Sequence, residues 1–138
     1  ADVNASLNGT TPLIQSAMSG NESVAKILLG VGNIQVNRQD RARQSALWCA
    51  SYQGRSDIVR LLLEKEGIQI ECKDESGFTP LAIAAVEGHT EVVKLLLAKG
   101  ANTEARDTVW NMTPISWAAR VGKVRTVKAL RGDLVTKL

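Results

Sequence analysis

Thr79-Pro80-Leu81-Ala82-Ile83-Ala84-Ala85-Val86-Glu87-Gly88-His89-Thr90-Glu91-Val92-Val93-Lys94-Leu95-Leu96-Leu97 reads as two short helices joined by a tight turn. Thr79 followed by Pro80 is a helix start. The hydroxyl can accept an otherwise orphaned amide, and proline has no amide to leave unpaired. Gly88 ends the first helix. Glu91 puts negative charge where the second helix's dipole favours it. The valines and leucines that follow recur at helical spacing.

The same pattern returns on both sides of this stretch. Leu13, Leu47, Leu81 and Ile115 occupy one place in four copies, each 34 residues after the last. The copies run over about 2–36, 37–70, 71–103 and 104–138. In the first, Thr11-Pro12-Leu13 opens a helix that Gly20 ends, and Val24, Ile27, Leu28 and Leu29 form an apolar stripe on the next. In the second, Ser45-Ala46-Leu47 keeps a weaker start signal and Gly54 supplies the turn. Ser56 and Asp57 are expected to cap and charge the following helix, whose buried face is Ile58, Val59, Leu61, Leu62 and Leu63. Before the third, Asp74-Glu75-Ser76-Gly77 is a turn signal. Its counterpart before the fourth, Asp107 to Met112, is one residue longer and lacks the glycine, which predicts a larger or distorted loop. Polar residues mark the ends: Gln15 stands in place of Ile83, Thr126 in place of Val92 and Arg131 in place of Leu97. A repeat stack needs polar faces on terminal units that no neighbour covers. The chain nonetheless begins within a repeat, and Arg125 sits at a helix N-terminus where other copies carry Asp57 and Glu91, so it reads as a module of a longer chain.

The pattern Thr79-Pro80-Leu81, Ala84-Ala85, Gly88-His89, Val92-Val93, Leu95-Leu96-Leu97 and Gly100-Ala101 is similar to the ankyrin repeat. The resemblance covers essentially the whole sequence. It implies an all-α solenoid of four helix-turn-helix units joined by β-hairpin-like loops. The first helices and the hairpins would line a concave side, and the second helices the back. In the family a His often follows Thr-Pro-Leu; here that place holds Ile14, Trp48, Ala82 and Ser116, so some family polar bonding is missing. Trp117, at the place of Ile83, is expected to be a buried packing residue.

Composition agrees with a packed domain: 138 residues, 44% hydrophobic and 22% charged, with a net charge of +3. The charges are mixed and spread, which disfavours a nucleic-acid surface. Cys49 and Cys72 are too few for a disulfide framework and read as free thiols of a reducing, intracellular compartment, cytoplasmic or nuclear. No apolar run approaches the roughly 18 residues that span a bilayer, and no membrane role is expected. His89 is the one histidine, which leaves no zinc constellation and no Ser-His-Asp set. The expectation is no enzyme, no cofactor and no small-molecule substrate.

Family members usually act as protein-binding scaffolds, so the candidate contact residues are those the repeat leaves available. Tyr52, Phe78, Trp110 and Met112 form the apolar part, with Trp48 divided between packing and contact. Arg41, Gln44, Glu75 and Arg120 flank them. Aromatics and Arg are favoured hot-spot residues, and the arginines suggest an acidic partner segment. The expected function is a monomeric protein-interaction module. Two alternatives compete: a regulatory or targeting domain of a larger enzyme or receptor, and a basic nucleic-acid binder.

Overall fold

The computed structural model describes residues 2–132. Eight helices follow one another as four pairs: α1 (Pro12–Ser19) and α2 (Glu22–Leu29), α3 (Ala46–Gln53) and α4 (Ser56–Leu63), α5 (Pro80–Glu87) and α6 (Thr90–Ala98), α7 (Pro114–Arg120) and α8 (Val124–Arg131). The odd-numbered helices pack side by side in one row and the even-numbered helices in a second. Among the described residues, extended pairing is limited to isolated bridges, Leu7 with Thr10 and Gln39 with Ser45. This is an all-α solenoid with hairpin-like connections.

Helices this short are marginal in isolation, so local caps and packing must hold them. The caps expected at Thr11, Ser45 and Thr79 form, and Thr113 caps the fourth copy in the same way. Thr11, Ser45, Thr79 and Thr113 accept the backbone N–H of Ile14, Trp48, Ala82 and Ser116 at 3.2, 3.1, 3.1 and 3.4 Å. The expected Ser56 cap does not form. Arg55 occupies the cap position without a side-chain bond, and Ser56 is the first helical residue. Asp57 does lie in the first turn.

Leu13, Leu47 and Leu81 form the spine of the core, with Ile58, Val59, Leu62, Val92, Val93 and Leu96 behind them. Within α2 the apolar stripe does not face inward as a whole. Ala25 and Leu29 are buried, whereas Val24 and Ile27 are exposed. The counterparts of Val24, Ile58 and Val92, are buried, since this position packs on the preceding copy and no copy precedes the first among the described residues; the counterparts of Ile27, Leu61 and Leu95, are half-buried. Thr126 corrects the expectation of a polar end for the same reason. It faces back into the stack, is 1% exposed, and lies with its hydroxyl 2.9 Å from that of Thr90.

Successive copies close one another's turns. The Arg55 guanidinium lies against Gly20 and donates to the Met18 carbonyl at 3.5 Å. His89 lies against Gly54 and its Nε2–H donates to the Tyr52 carbonyl at 2.9 Å. The Lys123 stem covers Gly88 in the same way. Gly54 has φ +72°, and a Cβ there would stand 2.6 Å from His89 Nδ1. Glycine is therefore required twice over, by conformation and by space. The thiols of Cys49, which is buried, and Cys72, which is half-buried, form no disulfide. Burial, helped by the charge of Asp40, pushes the Cys49 thiol up to about 12.

Candidate functional site

The candidate face is built on the hairpins and the first helices. In the second and third copies an aspartate organises each hairpin. Asp40 accepts the N–H groups of Ala42 and Gln44 at 3.0 and 2.9 Å. Asp74 accepts those of Ser76 and Phe78, both at 2.9 Å. Their backbones close by Asp40 N–H to Gln44 O and Asp74 N–H to Phe78 O, each 3.0 Å.

The fourth hairpin is one residue longer, as its sequence predicts: Asp107 N–H reaches Met112 O at 3.3 Å. Asn111, with φ +54°, takes the left-handed position, which its short polar side chain tolerates. Asp107 is buried and accepts four hydrogen bonds. Val109 and Trp110 N–H reach Oδ2 at 3.0 and 2.7 Å. Met112 N–H and the Trp117 indole N–H reach Oδ1 at 3.0 and 2.8 Å. Burial raises the carboxyl's pKa, but the donors stabilise the carboxylate more, and the balance holds it below its ordinary range.

The enlarged loop presents Trp110 to solvent, 59% exposed. The Arg120 guanidinium lies 5.4 Å from its ring centroid, a cation–π arrangement. Exposed Val109 extends this apolar tip. Trp117 is not the buried packing residue its repeat position predicts. It is half-buried, its indole is tied to Asp107, and its ring meets Phe78 at 5.5 Å. The repeat position fixes which way a residue points. It does not reveal that an indole there can reach back to the aspartate of its own hairpin.

In the second copy Trp48 takes the place of the family histidine. It is buried, donates its indole N–H to the Phe78 carbonyl at 3.1 Å, and stacks on Tyr52 with ring centroids 5.4 Å apart. Tyr52 stays exposed on that platform. The aromatics therefore form three pairs, Trp48–Tyr52, Phe78–Trp117 and Trp110–Arg120, the last with a guanidinium partner. Phe78 and Met112 are half-buried, and Phe78 packs against the core. Arg41 and Glu75 are exposed on successive hairpins. The Glu75 N–H binds the Ala42 carbonyl at 3.1 Å and ties the two hairpins together. Gln44 is half-buried, with Oε1 4.0 Å from the Cys49 thiol. Among the described residues Arg41, Arg43, Glu75 and Arg120 form no ion pair. Arg131 and Gly132 end α8, with Gly132 left-handed, as a helix stop requires.

Among the described residues no group of three or more His, Cys, Asp or Glu could hold a metal ion. No helix of the described chain is long and apolar enough to cross a membrane.

Stacked helix pairs with projecting hairpins define a helical-repeat solenoid. The family model described as ankyrin repeats (3 copies) matches residues 1–74 and again 66–136, and the chain belongs to the ankyrin-repeat family. Ankyrin repeats generally mediate protein–protein interaction. No curated protein matches the sequence.

Proposed function

We propose that this stack binds a partner protein or peptide along its hairpins and first helices, with Trp110, Arg120 and Tyr52 as the central contacts. One observation carries this reading. Trp110 is a large aromatic residue held open to solvent by a buried carboxylate that fixes its backbone. A pre-ordered aromatic anchor loses little entropy on binding. Trp48 and Phe78 support the surface from beneath, and Met112 and Gln44 border it. Arg41 and Arg43, without acidic neighbours in ion-pair range, favour a partner segment with acidic character, with Glu75 limiting where it lies. One chain supplies the whole face, so the monomer is the binding unit. It works as one module of a longer protein in a reducing, intracellular compartment, where two free thiols persist. Its role is recognition and not catalysis, and no cofactor or small-molecule substrate is required.

The test is affinity capture from the native source with the natural chain and with Tyr52→Ala, Trp110→Ala and Arg120→Ala combined. These side chains are exposed, so circular dichroism should show an unchanged fold. Loss of the captured partner is expected, and equal capture by both chains would sink the proposal. Captured nucleic acid, with an affinity falling steeply in salt, would replace the reading with the basic-surface alternative.

A further inference from the structure

The hairpins precede the first helices, and the turns of Gly20, Gly54 and Gly88 follow them. On this turn side the stack repeats one groove with its charge reversed. Between the first and second copies the groove has a volume of about 260 Å³, and Glu22, Arg55 and Asp57 line it around Gly20 and Gly54. Two repeats further on, Thr90, Lys123 and Arg125 take those three places around Gly88 and Gly122. Glu91 and Lys94 also line this second groove, whose volume is about 550 Å³. Two acids and one cation have become three cations and one acid.

The reversal is sharpest at one pair of positions. Arg60 reaches Glu91 across the middle junction at 3.3 Å. By the repeat's register the same two positions hold Lys26 and Asp57 at the first junction, again opposite in sign, and Lys94 and Arg125 at the last. Two cations thus stand where the other junctions set a cation against an acid. Arg125 also lies in the first turn of α8, the end of a helix that disfavours positive charge. No contact offsets these costs. Lys94, Lys123 and Arg125 are exposed and form no ion pair among the described residues, and Glu91 is held by Arg60. A local rule broken without compensation marks a functional position.

The groove lies at an internal junction, with both walls built from described copies. Its counterpart between the first two copies is open although a third copy packs beyond them. The groove hydroxyls satisfy each other, Thr90 with Thr126 at 2.9 Å, so the cations are left as the recognising groups. On the same side, Glu22, Asp57 and Glu91 interrupt the continuous positive stripe that a nucleic-acid backbone requires.

We propose that this groove docks an acidic segment of a partner protein, with carboxylates seated between Lys94 and Arg125 and beside Lys123. The attraction comes from charge complementarity, and the occupant supplies the acids that the register omits. None of these residues belongs to the hairpin face, so the groove is a second docking surface and stands independently of the first.

Two-dimensional NMR of the isotope-labelled chain, titrated with a short oligoglutamate peptide at fixed low salt, tests the proposal. The amides of Thr90, Gly122, Val124 and Arg125 should shift. Arg125→Glu restores the cation–acid pairing of the other junctions. It should weaken binding roughly tenfold or more and unfold no earlier than the natural chain. Lys94→Gln should weaken binding about two- to fivefold. Both side chains are exposed, and circular dichroism would verify the fold. Shifts confined to the Arg41–Arg43 hairpin, or equal affinity of the natural chain and Arg125→Glu, would overturn the proposal and leave the hairpin reading untouched. Earlier unfolding of Arg125→Glu would show that Arg125 serves the stack itself, and would overturn it too. Duplex DNA or anionic lipid vesicles that shift the same amides at lower concentration than the peptide would replace the acidic segment as occupant.

Discussion

Trp117 donates its indole N–H to Oδ1 of Asp107 at 2.8 Å, tying the first helix of the fourth copy to the hairpin ten residues before it. The bond adds a side-chain donor to the three backbone N–H groups already on this carboxylate. Asp107→Asn puts an amide donor where donors converge. It should cost about 1–3 kcal/mol in urea unfolding and lower the fluorescence anisotropy of Trp110. Because the folded carboxyl is depressed, its contribution is fully present above the unfolded value of about 3.9. It is lost as pH falls through the folded value. The stability gap between the natural chain and the variant should therefore shrink on acidification below about pH 4. A gap that stays constant into acid would show that the charge is not what stabilises the loop.

Trp48 joins two copies by volume and by one hydrogen bond, and two substitutions separate these. Trp48→Phe keeps most of the ring but removes the bond to the Phe78 carbonyl, an expected loss of about 1 kcal/mol. Trp48→Ala also leaves a cavity beneath Tyr52 and should cost about 3–5 kcal/mol. Thermal and chemical unfolding measure both. Equal losses would mean that packing contributes nothing beyond the bond.

Gly54 and His89 are in direct contact. Gly54→Ala forces a left-handed alanine, about 1–2 kcal/mol, and drives the methyl into the imidazole. Gly67 is also left-handed, but a Cβ there meets nothing within 4 Å. Gly67→Ala should therefore show the conformational loss without the collision. Adding His89→Ala to Gly54→Ala should recover the difference, read as a coupling energy in a double-mutant cycle.

The hydroxyls of Thr90 and Thr126 satisfy each other at the last junction. Thr126→Val leaves the Thr90 hydroxyl without its partner and should destabilise by about 1 kcal/mol. Replacing both by valine removes donor and acceptor together and should be near neutral. Additive losses in denaturant titrations would contradict the pairing.

The 34-residue period made the helix pairs, the caps and the leucine spine readable, because each position recurs with the same chemistry. What it could not supply is direction. Val24 looks like a core residue and Thr126 like a surface one until it is known that their shared position faces the preceding copy. The aromatics on the hairpin side were visible as departures from the repeat. Their pairing was not, because Trp48 reaching Phe78 and Trp117 reaching Asp107 depend on how far an indole extends from a given backbone. Ser56 departs from the cap role its sequence suggests because a serine beside a turn signals a cap wherever the helix begins, and here the helix begins on the serine itself.

The turns of Gly20, Gly54 and Gly88 are each closed by a side chain that belongs to the following copy: Arg55, His89 and Lys123. Three chemically different lids thus sit on three nearly identical turns. A recombination that exchanges whole copies at their hairpins would part every turn from its lid. The inheritable module is offset from the visible repeat, running from one turn through the lid of the next. Repeats shuffled in that frame would carry their fit with them.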